Sequence, residues 1–483
     1  MWRADAAPLH HRGGHWVRGS RRELIVSDGR IRRIRPSESG RDGDRSVVLP
    51  GFHDSHLHLR AAAAARLSVD LSAARSIPEL LATLRRSAAD FEGRWIRGWG
   101  WDESVLEERR APTLAEVDSV TGSHPCALHH RTGKVVVLNS SATRILAGPE
   151  GESTAIGEPI RADDPLLRTM PRQLEQSLES ALADLSRDLA AAGVTSVTDA
   201  TATNTWEDVA GLDVWMRRGV VRQRINALLA VDQVSAPSRS GGGMPIQGAV
   251  RVLGAKVAAR SDDIAERVRH ARGYGWPVAV HATEPDELDA ALTAIGECGP
   301  PAWGRDRIEH LGLPLPGHLE LIRALGIAVT TNPAFVTERG SKYREQLSAV
   351  EQDWLYPVRS VLAQGIPLAA ASDRPVTGAG PLGTMAAAVH RRPGGTGVEP
   401  LGAAERVTPD EALSLVTDRD EVDGPALDGW GGHDSPTFHL RRNADLVILS
   451  DDPRRLLERT DVLATFVGGR VIWGPEEARR VVT

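Results

Sequence analysis

The chain is poor in several residue types. Of its 483 residues only 2 are Cys, 3 are Tyr, 5 are Phe and 5 are Met. Two cysteines, Cys126 and Cys298, cannot form a disulfide framework, which excludes a stapled secreted scaffold and sets a reducing cytoplasm as the expected location. No apolar run approaches the ~20 residues that a membrane-spanning helix needs. Met1 to Arg12 also lacks the charged-then-apolar order of a signal peptide. Neither sign of charge dominates, because 58 Lys+Arg stand against 64 Asp+Glu. Nucleic acid and anionic membranes are therefore not expected partners. The remaining composition, 41% hydrophobic and 25% charged, is that of a globular protein and excludes disorder, collagen and coiled coil.

Lysine is the scarcest charged residue. Only Lys134, Lys256 and Lys342 occur, and every other basic residue is Arg. High-GC coding bias accounts for the skew and makes each surviving lysine informative. A lysine amine can lose its proton and react, whereas a guanidinium stays charged.

Both ends of the chain read as short strands. Glu23–Val26 and Arg30–Ile34 flank an Asp28-Gly29 turn, and Ala444–Leu449, Ala464–Val467 and Arg470–Trp473 follow the same style near the C-terminus. Between them, apolar runs alternate with helix-length segments such as 286–296 and 316–325. The runs are Val47–Phe52, Val194–Val197, Ile225–Leu229, Val250–Val257, Pro277–Val280, Arg307–Glu309, Ile327–Thr330 and Ile366–Ala370. Eight such units predict an α/β fold, a (β/α)8 TIM barrel, with a small β-sandwich built from both termini. The expected bounds are 1–50 with 436–483 for the sandwich and 51–435 for the barrel. A stretch from about 60 to 190 is too long for a plain loop and reads as a structured insertion after the first barrel strand. Thr408-Pro-Asp-Glu411 is a capping box that opens a late structural helix.

The sharpest signal is Pro50-Gly-Phe-His-Asp-Ser-His-Leu-His58. His56 and His58 lie two apart at the end of an apolar strand, so their imidazoles share a face. Two convergent imidazoles suit a borderline cation such as zinc, although a lone His-x-His is as readily two solvated side chains. Asp54 is close enough to orient a ligand imidazole. His281, His310 and Asp373 each stand at the end of a later strand, on the barrel face where catalysis sits. Lys256 ends the fourth strand. There a salt bridge would ordinarily employ Arg in this chain, whereas a carbamate formed with CO2 requires lysine.

With these motifs the chain resembles the metal-dependent amidohydrolase superfamily, in particular amidohydrolase family 3, the YtcJ-like and N-substituted formamide deformylase-like group. The Pro50-to-His58 motif, Gly193–Asp199, Lys256, Val278–His281, Arg307–His310 and Ala371–Pro375 carry the resemblance. The terminal runs 444–449 and 467–471, and Gly98–Glu103 with Asn139-Ser140 in the insertion, extend it. The resemblance implies two divalent metal ions, expected to be zinc. His56 and His58 would bind one, His281 and His310 the other, and Lys256 would bridge both as a carbamate. Asp373 would contact the first metal and act as the base toward a metal-bound hydroxide that hydrolyses a C–N bond of an amide, formamide or related small molecule.

The chain departs from that pattern on the substrate side. Lys256 is followed by Val-Ala-Ala-Arg-Ser261, His281 by Ala-Thr-Glu-Pro285, and Asp373 by Arg374. Thr132-Gly-Lys134 stands where an Asp-Gly-His is usual. Lys134 and Arg374 are therefore candidate contacts for an anionic substrate group, against the plain reading of solvated cations. Trp101, in the run Trp95–Trp101, is a candidate hydrophobic lid residue or simply core. Three alternatives stand beside amide hydrolysis: a mononuclear-metal deaminase on the same barrel, which should lack the bridging lysine; an ester or lactone hydrolase; and a barrel that binds without turnover. A homodimer is left open as the assembly.

Overall fold

The computed structural model describes residues 2–474 apart from 13–14, 19–21, 37–44, 89–94, 148–158, 162–166, 168–169, 171–174, 236–245, 259–260, 395–396, 418–443 and 456. Parts of the expected terminal domain, 436–443 and 475–483, lie outside the described residues. Among the described residues no helix is long and apolar enough to cross a membrane.

Eight strands form the barrel: β1 (Phe52–Leu57), β2 (Val194–Asp199), β3 (Arg224–Ala230), β4 (Val250–Val257), β5 (Val278–Ala282), β6 (Arg307–His310), β7 (Ala328–Thr331) and β8 (Leu368–Ala370). They pair in chain order, each ladder parallel. Parallel neighbours require a crossover, and most of the intervening segments supply a helix. Those after β5, β6, β7 and β8 begin with proline: Pro285–Cys298, Pro316–Ala324, Pro333–Gln346 and Pro381–His390. Proline suits this position because its fixed φ is already helical and its missing N–H would have had no partner. The sheet nearly closes between β8 and β1. Asp373 N–H donates to His56 O at 2.8 Å, and the Asp54 carboxylate accepts Ser372 N–H at 3.0 Å and Ser372 Oγ–H at 2.5 Å.

Seven barrel strands lie within two residues of their expected bounds. The first does not. The apolar run Val47–Phe52 is split at Gly51. Val47–Pro50 belongs to the sheet of terminal strands, pairing antiparallel with Leu446–Leu449 and parallel with Trp2–Arg12. The hydrogen bonds change partner at the glycine: Gly51 N–H donates to Asp445 O, and Phe52 N–H donates to Gly193 O. A Cβ on Gly51 would lie 2.1 Å from Thr195 Cγ2, so only glycine lets the chain pass here.

The terminal sheet has eight strands drawn from both ends of the chain. Leu24, Val26, Ile31, Val48, Ala444, Leu446, Ala464 and Phe466 form one apolar cluster on it. A bidentate ion pair, Arg224 Nε and Nη2 on Asp445, ties β3 to this sheet.

Contacts divide the chain into two units, and the second comprises Leu59–Leu182 with Arg374–Val376. Its five-stranded sheet runs Ile160–Arg161, Val135–Leu138, Cys126–His130, Ile96–Trp101, Val69–Asp70. One core of this unit gathers Leu71, Leu80, Leu84, Ile96, Trp101, Val117, Cys126 and Leu128, among others. Its helix Leu114–Thr121 is opened by a capping box between Thr113 and Glu116.

Candidate metal centre

The first turn of chemistry follows from the two-residue period of β1. Asp54, His56 and His58 fall on one parity and His53 on the other. The His53 ring is taken up by β2, where Nδ1 meets Ser196 Oγ at 2.9 Å and Nε2 meets Thr198 Oγ1 at 3.3 Å. His56 is 1% exposed. The donor atoms of His56, His58 and Asp373 all lie within 4.8 Å of one another. Asp373 Oδ1 is 3.0 Å from His58 Nε2 and 3.5 Å from His56 Nε2.

The later histidines join the same cluster. The ring centroids of His56 and His310 are 4.8 Å apart, and those of His281 and His310 are 4.6 Å apart. Lys256 is buried in β4, paired in register with Ala279 of β5. Its charge is felt by His56, His310 and Glu309 alike. The six side chains expected at the ends of the strands are therefore gathered at one end of the barrel.

The hydrogen-bond network sets the imidazole tautomers. An ionised carboxylate only accepts, so His56 Nδ1–H donates to Glu309 Oε2 at 2.5 Å and leaves a lone pair on Nε2. Asn332 Nδ2 donates to Ala371 O, which fixes the amide so that its Oδ1, at 2.7 Å, accepts from His310 Nδ1–H. His310 Nε2 is thus also a lone pair. Burial, reinforced by Lys256, lowers the His56 imidazole to about 3 against the opposing pull of Glu309 and Asp373. Burial likewise lowers His310. Burial pushes the Asp373 carboxyl up, but the hydrogen bond from His58 leads the effects that outweigh it and hold the group below the usual carboxylate range. Neutral nitrogen lone pairs facing an anionic oxygen in a buried space repel one another unless a cation lies between them. The donor set therefore fits a divalent metal.

The backbone is strained at two of these positions. His310 has φ 76° and Asp373 φ 57°, left-handed values that residues with a Cβ seldom adopt. Such outliers cluster at functional sites, where neighbours over-determine the conformation.

Glu309 and Asn332 were not among the candidates read from the sequence. Glu309, fully buried, is the carboxylate on the His56 ring, a role expected of Asp54, which instead clamps Ser372. Burial raises Glu309, but Arg307, Lys256 and His56 together hold it well below the usual carboxylate range. Arg307 donates to it from both Nε and Nη2. The signal was an acid flanked by Arg307 and His310 inside a buried strand.

The three candidate substrate contacts fall in the inserted unit. Trp101 is 2% exposed in its core, with Nε1–H donating to Leu128 O at 3.0 Å. Lys134 is exposed, beside the Gly133 turn. Arg374 is part-buried and clusters with this unit by its contacts. A second group of ligand-type side chains, Asp102, Glu103 and His130, also lies there. Burial lowers His130, but hydrogen bonds and charge from Asp102 and Glu103 outweigh it and raise the imidazole, whose Nε2 lies 3.0 Å from Glu103 Oε2.

A nearly closed parallel barrel with nitrogen and oxygen donors at the strand ends is the architecture of a metal-dependent hydrolase. The model of the Amidohydrolase family matches residues 44–473, and the chain belongs to that family. The protein is thus a metal-dependent hydrolase acting on carbon–nitrogen bonds of small molecules. It is 26% identical to N-substituted formamide deformylase of Arthrobacter pascens, over 94% of this chain and 93% of that one. It is 24% identical to YtcJ of Bacillus subtilis, over 89% of each. An uncharacterized metal-dependent hydrolase from Pyrococcus horikoshii shares the fold, with a TM-score of 0.70, 22% identity, and coverage of 93% of this chain and 96% of that one.

Proposed function

We propose that the protein is a binuclear zinc hydrolase that cleaves the C–N bond of an amide, formamide or related small molecule. His56, His58 and Asp373 would hold one cation, His281 and His310 would hold the other, and Lys256, as a carbamate, would be a ligand shared by both. The observation that carries this reading is the convergence of His56, His310 and Asp373, with two imidazoles fixed as neutral donors beside an ionised carboxylate. The bound cations supply Lewis acidity, which acidifies water toward a pKa of ~7 and polarises the scissile carbonyl. Asp373 takes a proton from the attacking water and returns it to the leaving nitrogen. Its oxygen, 3.0 Å from His58 Nε2, is held for that task by Asp373 N–H on His56 O. The Lys256 ammonium would lose one proton to become an amine, the amine would add CO2, and the carbamic acid so formed would lose a second proton to become an anionic ligand, which no arginine could do.

The formamide class is favoured by similarity to the Arthrobacter pascens deformylase across nearly the whole chain. Buried Lys256 weighs against a mononuclear deaminase, which has no use for a bridging anion. The reading includes a reducing cytoplasm, supported by free Cys126 and Cys298. The test is a screen of N-formyl, N-acyl and cyclic amides against zinc-loaded protein, with Asp373→Asn beside it. The expected result is amide turnover that falls by about 10³-fold in the variant while metal content stays unchanged. Turnover confined to esters or to amine release from a heterocycle would replace the reading.

A further inference from the structure

The cluster at the strand ends is built unevenly. His56, His58 and Asp373 offer three donor atoms within 4.8 Å of one another. Among the described residues, His281 and His310 meet no third His, Cys, Asp or Glu donor within that reach, although their rings lie 4.6 Å apart. The first group is assembled before any ion arrives, and preassembly lowers what binding costs.

Charge divides the two groups in the same way. Asp373 Oδ1 stands 3.0 Å from His58 Nε2 and 3.5 Å from His56 Nε2, so the first group includes a carboxylate. His281 and His310 bring nitrogen alone. A carboxylate in a buried site attracts a divalent cation by its full charge, whereas a neutral imidazole contributes a lone pair.

The groups behind the imidazoles differ as well. His56 gives its Nδ1–H to the Glu309 carboxylate at 2.5 Å, and His310 gives its own to the Asn332 amide at 2.7 Å. A charged acceptor raises the basicity of the opposite ring nitrogen more than a neutral one does. Arg307 leaves this bond in place, because it holds Glu309 by Oε1 and leaves Oε2 to the ring. Asn332 is fully buried, and its Nδ2 donates to Ala371 O at 3.0 Å. The amide cannot turn its oxygen away from His310 without losing that bond.

We infer that the two cation positions are unequal: the one at His56, His58 and Asp373 fills first and is retained, and the one at His281 and His310 fills second and exchanges with the surroundings. Asn332 is a positioning residue of the second position. Hydrolysis then starts with the second ion, so the supply of free divalent metal sets the activity. This rests on the binuclear reading above.

The test adds zinc stepwise to metal-stripped protein, in buffer containing bicarbonate and against a chromophoric chelator. The loss of zinc from loaded protein to excess chelator is timed alongside. The wild type should show two steps at least about 10-fold apart in affinity, with one zinc leaving well before the other. Asn332→Ala should weaken the looser step by about 10-fold and spare the tighter one. Glu309→Gln should weaken the tighter step and so draw the two together. Equal steps in the wild type, or a loss in Asn332→Ala that falls on the tighter step, overturn the ranking, while two bound zinc leave the binuclear reading standing. A single zinc that Glu309→Gln weakens and Asn332→Ala spares supports the ranking and counts against the binuclear reading. A single zinc with the opposite response, or none, overturns both. The wild-type steps and release times decide the ranking even where a variant fails to fold.

Discussion

Glu309 on β6 accepts the Nδ1–H of His56 on β1 at 2.5 Å, across 253 positions of sequence. This bond fixes which nitrogen of His56 is left to face Asp373. Carboxylates behind ligand imidazoles typically tune metal affinity by 10- to 100-fold. Glu309→Gln keeps the shape and removes the charge, so zinc affinity should fall by roughly that factor. Competition with a chromophoric chelator measures it, and activity should return in excess zinc. Unchanged affinity would show that the bond is only structural.

Gly51 is where the chain changes sheets. Alanine there would set its Cβ 2.1 Å from Thr195 Cγ2 and 2.7 Å from Thr195 Cβ. Gly51→Ala should cost about 2–3 kcal/mol by overpacking a buried seam. Adding Thr195→Ala removes the nearest atoms and should restore part of the loss. Denaturant midpoints of the single and double variants check the coupling, and independent effects would contradict it.

In the inserted unit, Glu116 accepts Thr113 N–H at 2.7 Å, Thr113 Oγ–H at 2.9 Å and both Arg110 Nη groups at 2.8 Å. The Arg110 bond leads the effects that lower its carboxyl to about 2; burial opposes them and the Thr113 bonds add. A depressed acid stabilises the fold above its unfolded pKa and loses that contribution as pH falls toward the folded value. The Tm difference between wild type and Glu116→Gln should therefore be constant above pH ~4.5 and shrink below it. Because the group is near the surface, the cap is worth about 1 kcal/mol or less. A difference that grows in acid would contradict this.

Much of the candidate site could be read from period and position. The common placement of His56, His58, Lys256, His281, His310 and Asp373 was legible because strand ends on one barrel face converge. The break at Gly51 was not legible, because Val47–Phe52 reads as one apolar run and only the switch from Asp445 to Gly193 as hydrogen-bond acceptor divides it. Glu309 and Asn332 were hidden for another reason. Each acts on an imidazole that another strand supplies, and that leaves no spacing to find.

The proposed chemistry depends on a pair of cations that share Lys256 as a ligand. Elemental analysis of protein stripped, reloaded with zinc and desalted, for the wild type and Lys256→Ala, measures this. Close to two zinc per wild-type chain are expected, and in the variant one lost together with most of the activity. A variant that keeps both metals and near-normal turnover, or a wild type that holds none, would contradict it.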